Sequence, residues 1–145
     1  MSPINQTEFC CRIVDEAPDA ILFSDREGII RLWNRGAELI FGFTREEAIG
    51  QSLDLIIPEK LRDRHWDGYY KVMETGQSRY STDLLATPAL NKQGERLSVE
   101  FSIIMVKDEE GGQVLGVAAI MRDISAQHAE KKALREKIAA LKAQQ

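Results

Sequence analysis

The amino-acid sequence predicts an α+β fold: a five-stranded, mainly antiparallel sheet with short helices packed on one face and a flanking helix at each end. Three observations carry that expectation. Apolar residues alternate with others along Leu97, Val99, Phe101, Ile103 and Met105, the period of a strand with one apolar face. They recur at helical spacing along Leu61, His65, Tyr69, Val72 and Met73, which places one histidine on the inward stripe of a helix. Turn sequences, Asp25 to Gly28, Asn91 to Gly94 and Asp108 to Gly112, separate the strand-like runs.

Taken in order, Phe9, Cys10, Ile13, Val14 and Ala17 follow a helical period, and Pro18 stops that helix. Cys10 and Cys11 are adjacent, which suits neither an ordinary disulfide nor a metal knuckle, so they read as small apolar packing residues. Ala20 to Ser24 and Ile29 to Trp33 form a hairpin whose turn ends at Gly28. Asn34 caps a short helix that Gly42 terminates, and Thr44 with Glu47 forms a capping box for another helical turn ending at Gly50. Leu53 to Ile57 is an apolar patch closed by Pro58, after which the helix bearing His65 runs from about Glu59 to Thr75 and Gly76. Gly68 is a weak point inside it. Arg79 to Ala86 is the next expected strand, with Pro88 already in the turn; the alternating strand follows, and Val114 to Met121 is the last. From Ser125 the chain turns helical without Gly or Pro, with a half-polar heptad seam of Ile124, Lys131 and Ile138 beside Gln127, Leu134 and Leu141. The division is an N-terminal helix over 1–18, one domain over 19–125 and an exit helix over 126–145.

With 145 residues, the chain is about one domain and large enough for a core without staples. No apolar run approaches the ~20 residues that span a bilayer, and MSPINQTEF lacks a secretory pattern, so no membrane association and a cytoplasmic location are expected. A net charge of −4 argues against a general nucleic-acid surface. No Gly-rich phosphate loop, paired-histidine metal helix or nucleophile with an evident base is present, so an enzyme is not expected. Ser24-Asp25, the most tempting polar pair, reads as part of a turn, and His128 as solvent-facing in a charged helix.

The run DAILFSDREGIIRLWNRGAELIFGFTREEAIGQSL and the closing VLGVAAIMRDIS resemble the two ends of a PAS domain, over roughly Ile13 to Ser125. The resemblance implies a PAS fold, and a sensory or interaction module with a pocket between the inner sheet face and the helix of His65. It also implies a homodimer, and an exit helix leading to a downstream signalling protein or effector domain. Within the middle segment, Arg62-Asp63-Arg64-His65-Trp66-Asp67-Gly68-Tyr69 and Thr75-Gly76 are similar to the histidine segment of FixL-type haem domains, with Trp66 displacing the Asp-Gly-Tyr by one. That similarity implies haem b with His65 as the metal ligand, Tyr69 beside it, and Phe101 and Ile103 over the ligand side. Met105 and Met121 are candidate sixth ligands. Leu85 stands where the FixL-type arginine falls, a departure that removes support for oxygen sensing by that route.

Two readings of His65 follow. As a ligand it serves a core pocket that holds haem, a gas or another small molecule; as a packing residue it belongs to a cofactor-free interaction module. A thiol-adduct flavin photosensor is excluded, because Gly50 to Leu61 contains no cysteine.

Overall fold

The structure is a computed structural model that describes residues 5–77 and 84–144. Its sheet has the strand order β2-β1-β5-β4-β3, and every neighbouring pair is antiparallel. The strands are β1 (Ala20–Asp25), β2 (Ile30–Trp33), β3 (Leu85–Leu90), β4 (Arg96–Lys107) and β5 (Val114–Asp123). Helices α2 (Arg35–Phe41), α3 (Arg45–Ala48), a 3-10 turn over Leu53–Ile56 and α4 (Glu59–Thr75) fill the connection between β2 and β3, while α1 (Gln6–Glu16) and α5 (Ser125–Ala143) flank the domain. The α+β architecture expected from the alternation and the turns is the one the chain adopts.

Local chemistry accounts for the boundaries. The Asp25 carboxylate accepts from the backbone N–H groups of Glu27 and Ile29, and Gly28 takes a φ of +78°, which closes the β1–β2 turn. Thr44 and Glu47 form the full capping box of α3. Gly76, at φ +69°, ends α4 with its N–H on the Val72 carbonyl.

Asn34 does more than cap. Its side-chain oxygen accepts from the N–H of Ala37, opening α2, and also from Ile21 on β1. Its amide donates to the carbonyls of Val14, Ala17 and Asp19. One side chain, 1% exposed, thereby joins the end of α1 to the start of the sheet and to α2. Beside it Trp33 and Phe41 are fully buried with ring centroids 5.5 Å apart, and the Trp33 indole donates to the Phe43 carbonyl.

Pairing register fixes which side chains share a face. Directly opposed residues of an antiparallel pair lie on the same side of the sheet. Leu22 opposes Ala119, which opposes Ile103; Ala20 opposes Met121, which opposes Phe101, which opposes Leu85; Ser24 opposes Val117, which opposes Met105. Ala20, Leu22 and Ser24 are buried, so this whole set forms the inner face.

Two expectations need correction. The strand placed over Arg79 to Ala86 falls partly outside the described residues; the observed β3 begins at Leu85 and runs through Pro88 to Leu90. Pro88 is tolerated because β3 is the edge of the sheet, where a missing N–H has no neighbouring strand to fail. Cys10 and Cys11 are exposed and do not pack, because α1 is tied to the domain through its C-terminal end and buries none of its residues.

Candidate functional site

Helix α4 lays one stripe towards the sheet. Tyr69 and Met73 on it are buried, while Leu61, His65 and Val72 are half-buried. The Tyr69 hydroxyl hydrogen-bonds the Ser24 hydroxyl at 2.9 Å and donates to the Asp25 carbonyl, so it anchors α4 to the end of β1. Ser24, read from sequence as part of a turn, is 1% exposed and faces this phenol. Burial pushes the Tyr69 hydroxyl above its ordinary pKa, opposed by the Ser24 hydrogen bond.

His65 lies one turn before Tyr69. Its ring is 5.6 Å from that of Tyr69 and meets Trp66 edge-on at 4.7 Å. Its Nδ1 is buried and has no hydrogen-bond partner among the described residues. Burial pulls the imidazole below its usual pKa, and the nearby Asp54 carboxylate acts in the opposite direction. The outcome is a neutral imidazole with an unspent buried nitrogen, which is the state in which histidine ligates metals.

Trp66 was the residue missed by reading only the stripe. Its indole donates to the Asp54 carboxylate at 2.7 Å, tying α4 to the 3-10 turn, and its ring packs at 5.2 Å from that of Tyr69. A β-carbon built on Gly28 would lie 2.1 Å from the Trp66 ring, so the hairpin turn must be glycine for steric as well as conformational reasons. The Gly28 and Asp25 turn pattern was visible in the sequence, but its long-range partner was not.

Facing α4, the inner sheet face presents Leu85, Phe101, Ile103, Met105 and Met121, all half-buried. Register therefore brings the four expected sheet residues and Met121 onto one apolar wall, whose other members are Val99, Val117 and Ala119. Thr87 adds a hydroxyl-bearing residue on the same side. Two open clefts lie elsewhere. One of about 370 Å³ is bounded by Arg26, Met73, Gly76 and Val114 at the end of α4, and one of about 560 Å³ lies between α1 and the β2–α3 region. Neither is lined by His65, Phe101 or Met105. No group of three His, Cys, Asp or Glu residues suited to holding a metal ion occurs among the described residues.

The sequence model of the family described as the PAS fold matches residues 14–129. The chain belongs to the PAS family. A relative in Azorhizobium caulinodans, an uncharacterized protein, is 34% identical over 84% of this chain and 16% of its own length. The sensor protein FixL of Bradyrhizobium diazoefficiens is 41% identical over 48% of the chain and 12% of its own. The oxygen sensor protein DosP of Escherichia coli is 30% identical over 84% of the chain and 15% of its own. The chain thus spans about a sixth or less of the curated relatives it matches. Among solved structures, a PAS domain from Colwellia psychrerythraea superposes with a TM-score of 0.71 at 23% identity, covering 84% of this chain and 99% of that one. The PAS domain of the Cronobacter turicensis quorum-sensing receptor RpfR, in complex with C12:0, gives 0.60 at 21% identity over 77% and 98%. In this PAS domain no described helix is long and apolar enough to cross a membrane.

The donor set is compatible with haem: one histidine with an unpartnered buried nitrogen, on the helix that Tyr69 ties to Ser24 of the inner sheet face. The wall is half-buried and not sealed, and Leu85 adds no hydrogen-bond donor to it.

Proposed function

We propose that this PAS domain senses a ligand held between α4 and the inner sheet face, with haem b through His65 as the best-supported occupant, and that it signals through α5 as a homodimer acting on a downstream effector. The observation that carries this reading is the unpartnered buried Nδ1 of His65, since an unmet polar atom in an apolar setting costs about 1–3 kcal/mol unless something satisfies it. Similarity to two sensor proteins, one of them named for oxygen, supports the same class of role. Bound haem would supply an iron centre responsive to small ligands and to redox state. The residues of this chain would do the rest. His65 would donate its lone pair; Phe101, Ile103 and Leu85 would exclude water; Met105 or Met121 would offer a thioether from the wall. Trp66 and Tyr69 would hold the imidazole and link any movement of α4 to the β1–β2 hairpin.

Haemin titrated into the full chain tests this. The expected result is a Soret band that saturates near one equivalent and is lost or displaced in His65→Ala. A chain that gives no such band, or the same band in His65→Ala, excludes the haem reading.

A second reading, a cofactor-free interaction module, draws on the two open clefts lying away from His65. It predicts no saturable binding of haemin and no effect of His65→Ala on self-association.

A further inference from the structure

Four aromatic side chains of α4 form one continuous network. The His65 ring meets Trp66 edge-on at 4.7 Å and lies 5.6 Å from Tyr69. Trp66 lies 5.2 Å from Tyr69 and stacks on Tyr70 at 5.8 Å, with 28° between the ring planes. The inner end of this network is the unpartnered Nδ1 of His65, and the outer end is Tyr70, which is 53% exposed. Core packing accounts for Tyr69, which is buried, but not for Tyr70, whose ring is half in water.

Hydrogen bonding decides what each ring does when it loses an electron. An oxidised indole sheds its N–H proton and an oxidised phenol its O–H proton, so each needs an acceptor. Trp66 has one: its N–H donates to Oδ1 of Asp54 at 2.7 Å, within reach for proton transfer, while Arg62 stands off at 3.9 Å from the same oxygen. Tyr69 has none, because its hydroxyl is held between the Ser24 hydroxyl and the Asp25 carbonyl, and neither is a base. Tyr70 has water. The network therefore has a direction, in which an oxidation that begins beside His65 passes through Trp66, leaves Tyr69 intact and comes to rest on Tyr70.

The core holds groups that such an oxidation would damage. Met73 is buried on the same stripe of α4 as His65 and Tyr69, and Met105 and Met121 lie on the inner sheet face. Conversion of a thioether to its sulfoxide sets a polar group among apolar ones and disrupts the packing.

We propose that Trp66 and Tyr70 form an electron relay that carries one-electron oxidation out of the core to the surface. A strong one-electron oxidant, of the class a hydroperoxide generates at a bound metal centre, takes one electron from Trp66, and the indole proton moves to the Asp54 carboxylate. Tyr70 then gives one electron to Trp66 and its phenol proton to water, and Asp54 returns its proton to the indole. The oxidant is reduced by one electron, Tyr70 is left as a phenoxyl radical, and a soluble reductant of the ascorbate class restores it with one electron and one proton. The protective role rests on the reading of His65 as the holder of a redox-active group; the relay itself does not.

The test is flash photolysis of the full chain without added ligand, in which an ultraviolet pulse ejects an electron from tryptophan and transient absorption follows the indolyl and phenoxyl bands. The parent should show a delayed phenoxyl rise in step with decay of part of the indolyl band, the remainder belonging to Trp33. The rise should be lost in Tyr70→Phe and in Trp66→Phe, and kept in Tyr69→Phe. Asp54→Asn should slow it, because the amide oxygen accepts the indole hydrogen bond but not its proton. No delayed rise in the parent, a rise that survives in Tyr70→Phe or Trp66→Phe, or one lost in Tyr69→Phe would each overturn the proposal. Circular dichroism of every variant shows that the fold is retained. A chain that fails to bind haemin leaves this outcome unchanged, whereas an absent phenoxyl rise sinks the relay even where haemin binds.

Discussion

Tyr69 and Asp25 meet at the end of β1, and each makes a prediction. Tyr69→Phe keeps the ring but removes the hydroxyl that serves Ser24 and the Asp25 carbonyl, leaving buried polar atoms unmet. A loss of about 1–3 kcal/mol in urea unfolding is expected, with an unchanged m-value. The Asp25 carboxyl is raised by burial, but the Arg31 side chain and the amides of Ile29 and Glu27 outweigh that and hold it below the ordinary carboxylate range. Its folded pKa is therefore the lower one, so its contribution is complete above the unfolded value of about 3.9 and is lost as pH falls through the folded value. Asp25→Asn should lower stability at neutral pH and flatten the acid limb of the stability curve; an equally steep limb would count against this account. At this scale the sequence was partly legible. The Asp-Arg-Glu-Gly turn and the Asn34 cap could be read because their first partners are local, whereas the Tyr69 to Ser24 contact spans 45 positions and left no periodic trace.

At the scale of elements, helix α4 was the most legible, because Pro58 before it, the Gly76 stop after it and its stripe agree over 17 residues. Its interior glycine has no structural need: a β-carbon on Gly68 would meet nothing within 4 Å. Gly68→Ala should stabilise the protein by about 0.5–1 kcal/mol in urea or thermal unfolding, and a loss of stability would show that the helix needs glycine there. The third strand was less legible. Pro88 reads as a turn residue in isolation, and only the position of β3 at the sheet edge permits it inside a strand. Helix α1 was predicted in place but not in role, since periodicity identifies an apolar face without saying what covers it.

The whole molecule joins a wall of apolar side chains, a helix with one unsatisfied histidine, and two uncovered helices rooted at one end of the sheet. Motifs in sequence order made the fold legible, because turns and alternation are local. The wall was legible through strand parity, which register then fixed. Trp66 was not, since its partners Asp54 and Gly28 lie on other elements. The proposed sensing role depends on His65 meeting its ligand directly. The most direct measurement is therefore the visible spectrum of the His65→Gly protein with haemin, before and after adding free imidazole. The account predicts that the Soret band of the parent is lost or shifted in His65→Gly and returns when imidazole fills the vacated position. A parent-like band in His65→Gly without imidazole, or no return with it, would contradict that claim.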